Sequence, residues 1–390
     1  MEFVSHIIDG IDIQSSTFCK NDVTELHFYF KCKKNESFVD QCCFLEHGIC
    51  AVVRAEKMKP DAVTLIRLFV SDYSNQKAEI EELYSTLQIT FGACAVSVVQ
   101  QPCLEGSKLA AWVYAVDVAN GNERQQVNVT NHFVDRHSDY VHIWTTGLKS
   151  DKCNADSYKQ TDTIFDEYNT YLSDNGMNVK GECVRTWLFV KDIDYNYKDV
   201  VEARKSFFDQ LDMTEKTHYL ASTGIEGRID DPCSNVLMDA YAVGGIVSSQ
   251  IKHLTAVDYL NPTHEYGVTF ERGTSLDFGD RRHIYISGTA SIDKKGLVVH
   301  TGDVFKQVDR AMVNIKALLA DADATGNDIA QMIVYLRDVN DCCLIQEYFT
   351  EKYTEIPKII VLAPVCRPGW LVEIECIAIK DIENKKYSNF

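Results

Sequence analysis

Toward the C-terminus, the run Cys366-Arg367-Pro368-Gly369-Trp370-Leu371-Val372-Glu373-Ile374-Glu375-Cys376-Ile377-Ala378-Ile379 sets a guanidinium and two carboxyl groups close together along the chain. Alternation and β-branched content predict a strand from Leu371 onward, and a period of two puts Glu373 and Glu375 on the same face. Arg367 falls in the turn just before it. A cation that holds a carboxylate beside a carboxyl group that can give up a proton is equipment for binding and protonating a small acid. In an arbitrary sequence the same spacing describes a surface ion pair of little energetic consequence. Cys366 has the chemistry of a nucleophile, but no histidine stands at a fixed spacing to activate it, so it is expected to line a pocket. His283 and His300 are expected to be structural.

These residues need elements to hold them. Upstream, His283-Ile284-Tyr285-Ile286-Ser287-Gly288-Thr289-Ala290-Ser291-Ile292 predicts a strand running into a Ser-Gly turn. A helix follows over about residues 303–320, its inner face marked by Val304, Val308, Met312, Ile315 and Leu319. A strand over residues 331–336 ends at Asp338, and a second helix turns Leu344, Ile345, Tyr348, Phe349 and Tyr353 inward. The order is strand, helix, strand, helix, strand.

The pattern repeats. His142-Ile143-Trp144-Thr145-Thr146-Gly147 falls in line with His283 to Gly288, followed by a helix with Ile164, Tyr168 and Leu172, a strand over 185–190 ending at Asp192, a helix over 200–211, and a strand over 236–243. Nearer the N-terminus, a strand ending at Asp72, a helix with Ile80, Leu83, Tyr84 and Leu87, and strands over 93–99 and 109–116 restate the second half of the unit. Residues 23–55 read there as strand-like, with no Ser-Gly turn and no clear first helix. A repeat of this length is architecture. Three units of about 20–120, 135–245 and 265–385 result, with domains expected at 1–130 (degenerate), 131–250 and 251–390 (carrying the site). In register with Arg367, Glu373 and Glu375, the first unit has Leu104, Ala110 and Trp112; the second has Leu237 opposite Glu373 and Asp239 opposite Glu375. Only the third unit carries a full set.

The Ser-Gly-Thr turn, the amphipathic helix, the strand ending Leu-Arg-Asp-Val and the closing Arg367…Glu373-Ile374-Glu375 resemble the YjgF or Rid (reactive intermediate deaminase) superfamily, and the longer strings around Ser287 and Arg367 look most like its chorismatase branch. The resemblance implies an α+β fold of tandem YjgF-like (chorismate-mutase-like) units, with mixed sheets packed as a pseudo-trimeric barrel and helices outside. It also implies Arg367 as the anchor for a substrate carboxylate, Glu373 as the catalytic carboxyl, and Ser287-Gly288 as the turn lining the pocket. Glu375 would be a second proton carrier or a like-charged partner that raises the pKa of Glu373. Ala221-Ser222-Thr223-Gly224-Ile225 resembles a chorismatase motif facing a pocket in the neighbouring unit. By itself it reads as a glycine-rich loop; Arg228 beyond it would meet a second carboxylate. The implied activity is hydrolysis of a small carboxylate substrate with an activated double bond, a vinyl ether releasing pyruvate. The alternatives are an enamine or imine deaminase and a binding protein without turnover. No cofactor or metal is implied.

Composition narrows the partners. A chain of 390 residues buries a large core, and a net charge of −18 without a basic patch argues against nucleic acid. Fourteen cysteines are thinly spread, with no Cys-x-x-Cys pair. The first residues lack a signal sequence's pattern and no stretch approaches the length of a membrane helix, so the expectations are a cytoplasmic protein, no membrane partner, and a monomeric pseudo-trimer or a homo-oligomer.

Overall fold

The computed structural model describes residues 1–33, 35–119, 124–152, 155–229 and 231–390, apart from the side chain of Tyr266. Three six-stranded mixed sheets form, each with its own helices. The first unit comprises β1 (Glu2–Ile8), β2 (Ile11–Lys20), β3 (Val23–Lys31), α1 (Phe38–Ala55), β4 (Val63–Val70), α2 (Tyr73–Phe91), β5 (Ala95–Gln100) and β6 (Leu109–Val118). The second has β7 (Gln125–Val129), β8 (His132–His137), β9 (Tyr140–Leu148), α3 (Ser157–Asp174), the single-turn α4 (Val179–Glu182), β10 (Cys183–Val190), α5 (Ile193–Gln210), β11 (Ala221–Glu226) and β12 (Val236–Gly244). The third has β13 (Ile251–His253), β14 (Gly273–Asp277), β15 (Arg281–Ala290), α6 (Val304–Asp321), β16 (Ile329–Leu336), α7 (Cys342–Lys352), β17 (Lys358–Leu362) and β18 (Val372–Asp381).

All three sheets have the same strand order. It is β1-β2-β3-β6-β4-β5 in the first, β7-β8-β9-β12-β10-β11 in the second, and β13-β14-β15-β18-β16-β17 in the third. In each, the last strand of the unit runs antiparallel between its neighbours, and the edge pair β4–β5, β10–β11 or β16–β17 is parallel, joined through a helix. Sheets meet edge to face in a ring: β5 packs on β9, β11 on β14 and β15, and β16 and β17 on β2 and β3. Inward faces from all three units share one core, where Trp112, Trp144, Trp187 and Tyr285 are buried together. The helices cover the outer faces. This is the three-unit YjgF-like barrel expected.

Four local expectations need correction, the first being Leu344, expected inward but 48% exposed on α7, whose buried face is Cys342, Ile345, Tyr348 and Phe349. Residues 38–55 form the 18-residue helix α1, capped by the Ser37 hydroxyl on Asp40 N. Its inner residues Phe38, Leu45, Ile49 and Val52 follow helical spacing, so the first unit is complete rather than lacking its first helix. The stretch 221–226, read as a loop, is strand β11, parallel to β10. The Ser287-Gly288 turn is a bulge inside β15: pairing with β18 shifts register between Ile286 and Thr289, and the strand continues to Ala290.

Candidate active site

The residues brought together lie at the seam between the second and third units. A recess of about 520 Å³, counting its open mouth, is lined from the second unit by Tyr197 and Arg204 of α5 and by Ser222, Thr223 and Gly224 of β11. From the third unit come Phe270, Arg272, Gly288, Ala290, Ile292, Cys366, Arg367, Trp370 and Glu373.

Among the described residues Glu373 is its only lining carboxylate, and it is 5% exposed. Burial is the largest influence on it and the like charge of Glu375 the next; together they outweigh the opposing pull of Arg185 and Arg272 and push its carboxyl up to about 8. A carboxyl group in this condition keeps its proton at neutral pH. Gly288 makes room for it: a Cβ there would lie 2.2 Å from Glu373 Oε1 and 3.1 Å from Thr223 Cγ2. Gly224 serves the opposite wall, where a Cβ would come within 2.6 Å of the Tyr197 ring. Arg367 lines the recess with its guanidinium over the Trp370 ring, 5.0 Å from the ring centre. Cys366 lines it too, its thiol pushed up to about 12, first by burial and then by Glu373. That is the state of a wall residue and not of a thiolate nucleophile.

Glu375 stands behind this wall. Its Oε2 accepts from Arg185 Nη2 at 2.8 Å and Thr223 Oγ1 at 2.6 Å, and its Oε1 from Trp187 Nε1 at 2.7 Å. Three donors on two oxygens is an acceptor-only role, that of a carboxylate. Thr223 Oγ1 also accepts from Gly288 N at 2.9 Å, which ties the bulge of one unit to the edge strand of the other. Ser287 lies outside the recess. Its hydroxyl donates to Glu271 O at 2.6 Å and accepts from Ser222 N and Arg185 Nη1, both at 3.0 Å, so it fixes β11 rather than meeting a ligand. Arg228 lies apart, beside a different recess with Asp192, Glu226 and Leu362.

Two arginines in the recess were not singled out from the sequence. Arg204 is buried on α5, donating to Ser222 Oγ and Thr269 Oγ1, each at 3.3 Å. Arg272 precedes β14 and donates to Asn261 O at 3.1 Å. For Arg204 a signal existed, since it shares the inward helical face of Val200, Ala203 and Phe207. Arg185, amid the apolar run of β10, carried a similar one. Arg272 has no such pattern around it.

The pseudo-symmetry explains why one seam holds such a site. At the seam of the first and second units, Asp239 takes the place of Glu375. It accepts from Arg67 Nη2 at 2.9 Å, Ser97 Oγ at 2.6 Å and Gly147 N at 2.9 Å, as Glu375 is served by Arg185 and Thr223. Leu237 stands there in place of Glu373 and Val98 in place of Gly224. The buried ion pair recurs, and the proton carrier does not.

The chain matches the endoribonuclease L-PSP family over residues 277–380. A RutC family protein of Pyrococcus abyssi is 35% identical over 100 residues, covering 25% of this chain and 79% of that one. The 3-aminoacrylate deaminase RutC of Acinetobacter baylyi is 29% identical over 97 residues, 24% of this chain and 77% of that protein. Among solved structures, a chorismatase crystal structure superposes with a TM-score of 0.62 at 16% identity, covering 90% of this chain and 98% of that one. The family model thus falls within the third unit and these two relatives align with about a quarter of the chain, whereas the structural likeness covers 90% of it.

Proposed function

Because this chain belongs to the RutC family, within the YjgF/Rid superfamily, we propose that it is a hydrolase of small carboxylates bearing an activated double bond, with Glu373 as the proton donor and Arg367 as the carboxylate anchor. The observation that carries this reading is a buried carboxyl group, pushed up to about 8, facing a recess that also holds Arg204, Arg272 and Arg367. A general acid works best with a pKa near the operating pH, and such help contributes on the order of 10²–10⁴ in rate.

The substrate class favoured is an enolpyruvyl ether with more than one carboxylate, as in chorismate, because three guanidiniums exceed what a single carboxylate needs. Glu373 gives its proton to the terminal methylene carbon, forming an oxocarbenium ion at the ether-bearing carbon. Water adds there, the hemiketal collapses, and the products are pyruvate and the free alcohol, with the proton lost by water restoring Glu373. Preorganised cations hold the carboxylates through the sequence. The second reading rests on the similarity to a 3-aminoacrylate deaminase. There the same proton goes to an enamine carbon, water adds to the resulting iminium, and ammonia leaves with an oxo acid. Ribonuclease action, which the family's description suggests, would require RNA to approach a chain of net charge −18.

The test is to incubate the chain separately with chorismate and with an enamine acid, measuring pyruvate and ammonia. Pyruvate from chorismate supports the first reading and ammonia from the enamine the second. Neither product means the recess binds without turnover. Arg367→Lys keeps the charge but loses the planar fork, so KM should rise by about tenfold to a hundredfold. An unchanged KM with a lowered melting temperature would assign Arg367 to packing on Trp370.

A further inference from the structure

At the seam of the third and first units there is another recess, of about 780 Å³ counting its mouth, lined by Tyr29, Lys31, Glu105, Phe349, Lys358 and Ile360 among others. Strand pairing puts it in the position the first recess has at its own seam. Met332 pairs with Lys358 on β17 as Thr186 pairs with Ser222 on β11, so Lys358 stands where Ser222 stands and Ile360 where Gly224 stands. Lys31 pairs with Ala110 on β6 as Ala290 pairs with Glu373 on β18, so a lysine replaces Ala290 and an alanine replaces the acid. The location is retained and its chemistry is inverted, with an amine where the first recess offers a hydroxyl and no carboxyl group where it offers Glu373.

We propose that this recess is a second binding site, for a small carboxylate with a compact apolar body, and that Lys358 is its cationic anchor. Lys358 Nζ donates to Tyr353 O at 2.8 Å and Ile356 O at 3.1 Å, two uncharged carbonyls, which leaves one of its three N–H donors for a ligand. The nearby Glu105 is engaged by Lys31 at 2.7 Å. Burial, and secondarily the charge of Lys31, push the Lys358 ammonium down to about 8 against the opposing pull of Glu105. Incoming negative charge relieves that unfavourable position, and an entering carboxylate is a natural source of it. Phe349 and Ile360, both buried, and Ile356 supply an apolar floor. The exposed Asp12 at the mouth repels dianions, which restricts the ligand to a single carboxylate. This site is independent of the reading given to the first recess.

Benzoate is a suitable probe, titrated calorimetrically into the intact chain at constant ionic strength against chloride. Binding that weakens at least about tenfold in Lys358→Met but persists in Arg367→Ala is expected, since a charge-assisted hydrogen bond is lost only in the former. Thr350→Trp, at the exposed rim on α7, should block the same binding without touching the half-buried lysine and decides the matter should Lys358→Met fold poorly. Benzoate binding that is unchanged by both Lys358→Met and Thr350→Trp, or that disappears in Arg367→Ala, or no binding at all to the intact chain, overturns the proposal.

Discussion

Glu373 and Glu375 are separated by one residue on one face of one strand, yet their surroundings drive them to opposite roles. Glu375 is met by a guanidinium, an indole N–H and a hydroxyl. Glu373 meets the recess, and burial with its neighbour's charge pushes its carboxyl up to about 8. Glu373→Gln should therefore lower turnover by about 10²–10⁴ while leaving binding intact, which steady-state kinetics on the active substrate would reveal. The same substitution should alter stability with a definite sign. Below the ordinary carboxyl value of 4.5 the group is protonated both folded and unfolded. As pH rises toward about 8 the unfolded chain releases a proton that the folded chain retains, so the wild type loses stability across that window and the Gln variant does not. Melting curves of both proteins from acid to mildly alkaline pH should diverge in the variant's favour. Glu375→Gln is expected to cost about 3–5 kcal/mol, because Arg185 is left buried without its countercharge. It should also shift the alkaline limb of the rate profile downward. A variant as stable as the wild type would contradict the buried-pair account. The sequence showed that the two glutamates share a face and that only one lacks an acidic counterpart in the second unit. It did not show which donors meet Glu375, because Arg185, Trp187 and Thr223 come from another unit.

At the scale of elements, the site depends on a bulge and an edge strand held in contact. Gly288 belongs to β15, Thr223 and Gly224 to β11, and the bond from Gly288 N to Thr223 Oγ1 joins them. Gly288→Ala would drive a methyl group into the Glu373 carboxyl, with Oε1 2.2 Å away. Its melting temperature should fall modestly, and its turnover should fall toward that of Glu373→Gln. Full turnover in Gly288→Ala would show that Glu373 has room to spare. The strands and helices around the site were legible because apolar periodicity is strong in them. What escaped the sequence reading has local causes. The run Ala221-Ser222-Thr223-Gly224 looks like a loop because its hydroxyls are short and polar, yet they are buried, with Ser222 Oγ accepting from Thr186 of its own unit and Thr223 Oγ1 donating to Glu375 across the seam. In α1, Cys42-Cys43, His47 and Gly48 dilute the apolar pattern. Gly48 is needed because a Cβ there would overlap the Phe30 ring.

The whole molecule is a ring in which each unit completes the next, so the first unit matters to a site it does not line. It receives Arg281 of the third unit on Glu25 at 2.8 Å, sends Arg67 to Asp239 at 2.9 Å, and pairs Tyr29 with Gln331. Removing it would take Glu25 from Arg281, leaving only Asp280 as its countercharge, and Arg67 from Asp239, both buried, and would uncover the faces of β9, β16 and β17. A fragment of residues 124–390, which keeps β7, should be insoluble; a soluble, monodisperse and active fragment would refute the closed ring as the folding unit. The repeat was visible in the sequence through Asp72, Asp192 and Asp338 at the ends of equivalent strands. The seams were not, because they join side chains far apart in the sequence, such as Arg185 and Glu375. It is the burial imposed by two units together that leaves a proton on Glu373, and this can be measured without knowing the substrate. Infrared difference spectra of the wild type against Glu373→Gln, recorded across pH, should show a protonated carboxyl band at neutral pH that fades as pH passes about 8. A band already lost near the ordinary carboxyl value of 4.5 would leave the recess without a proton donor and contradict the mechanism.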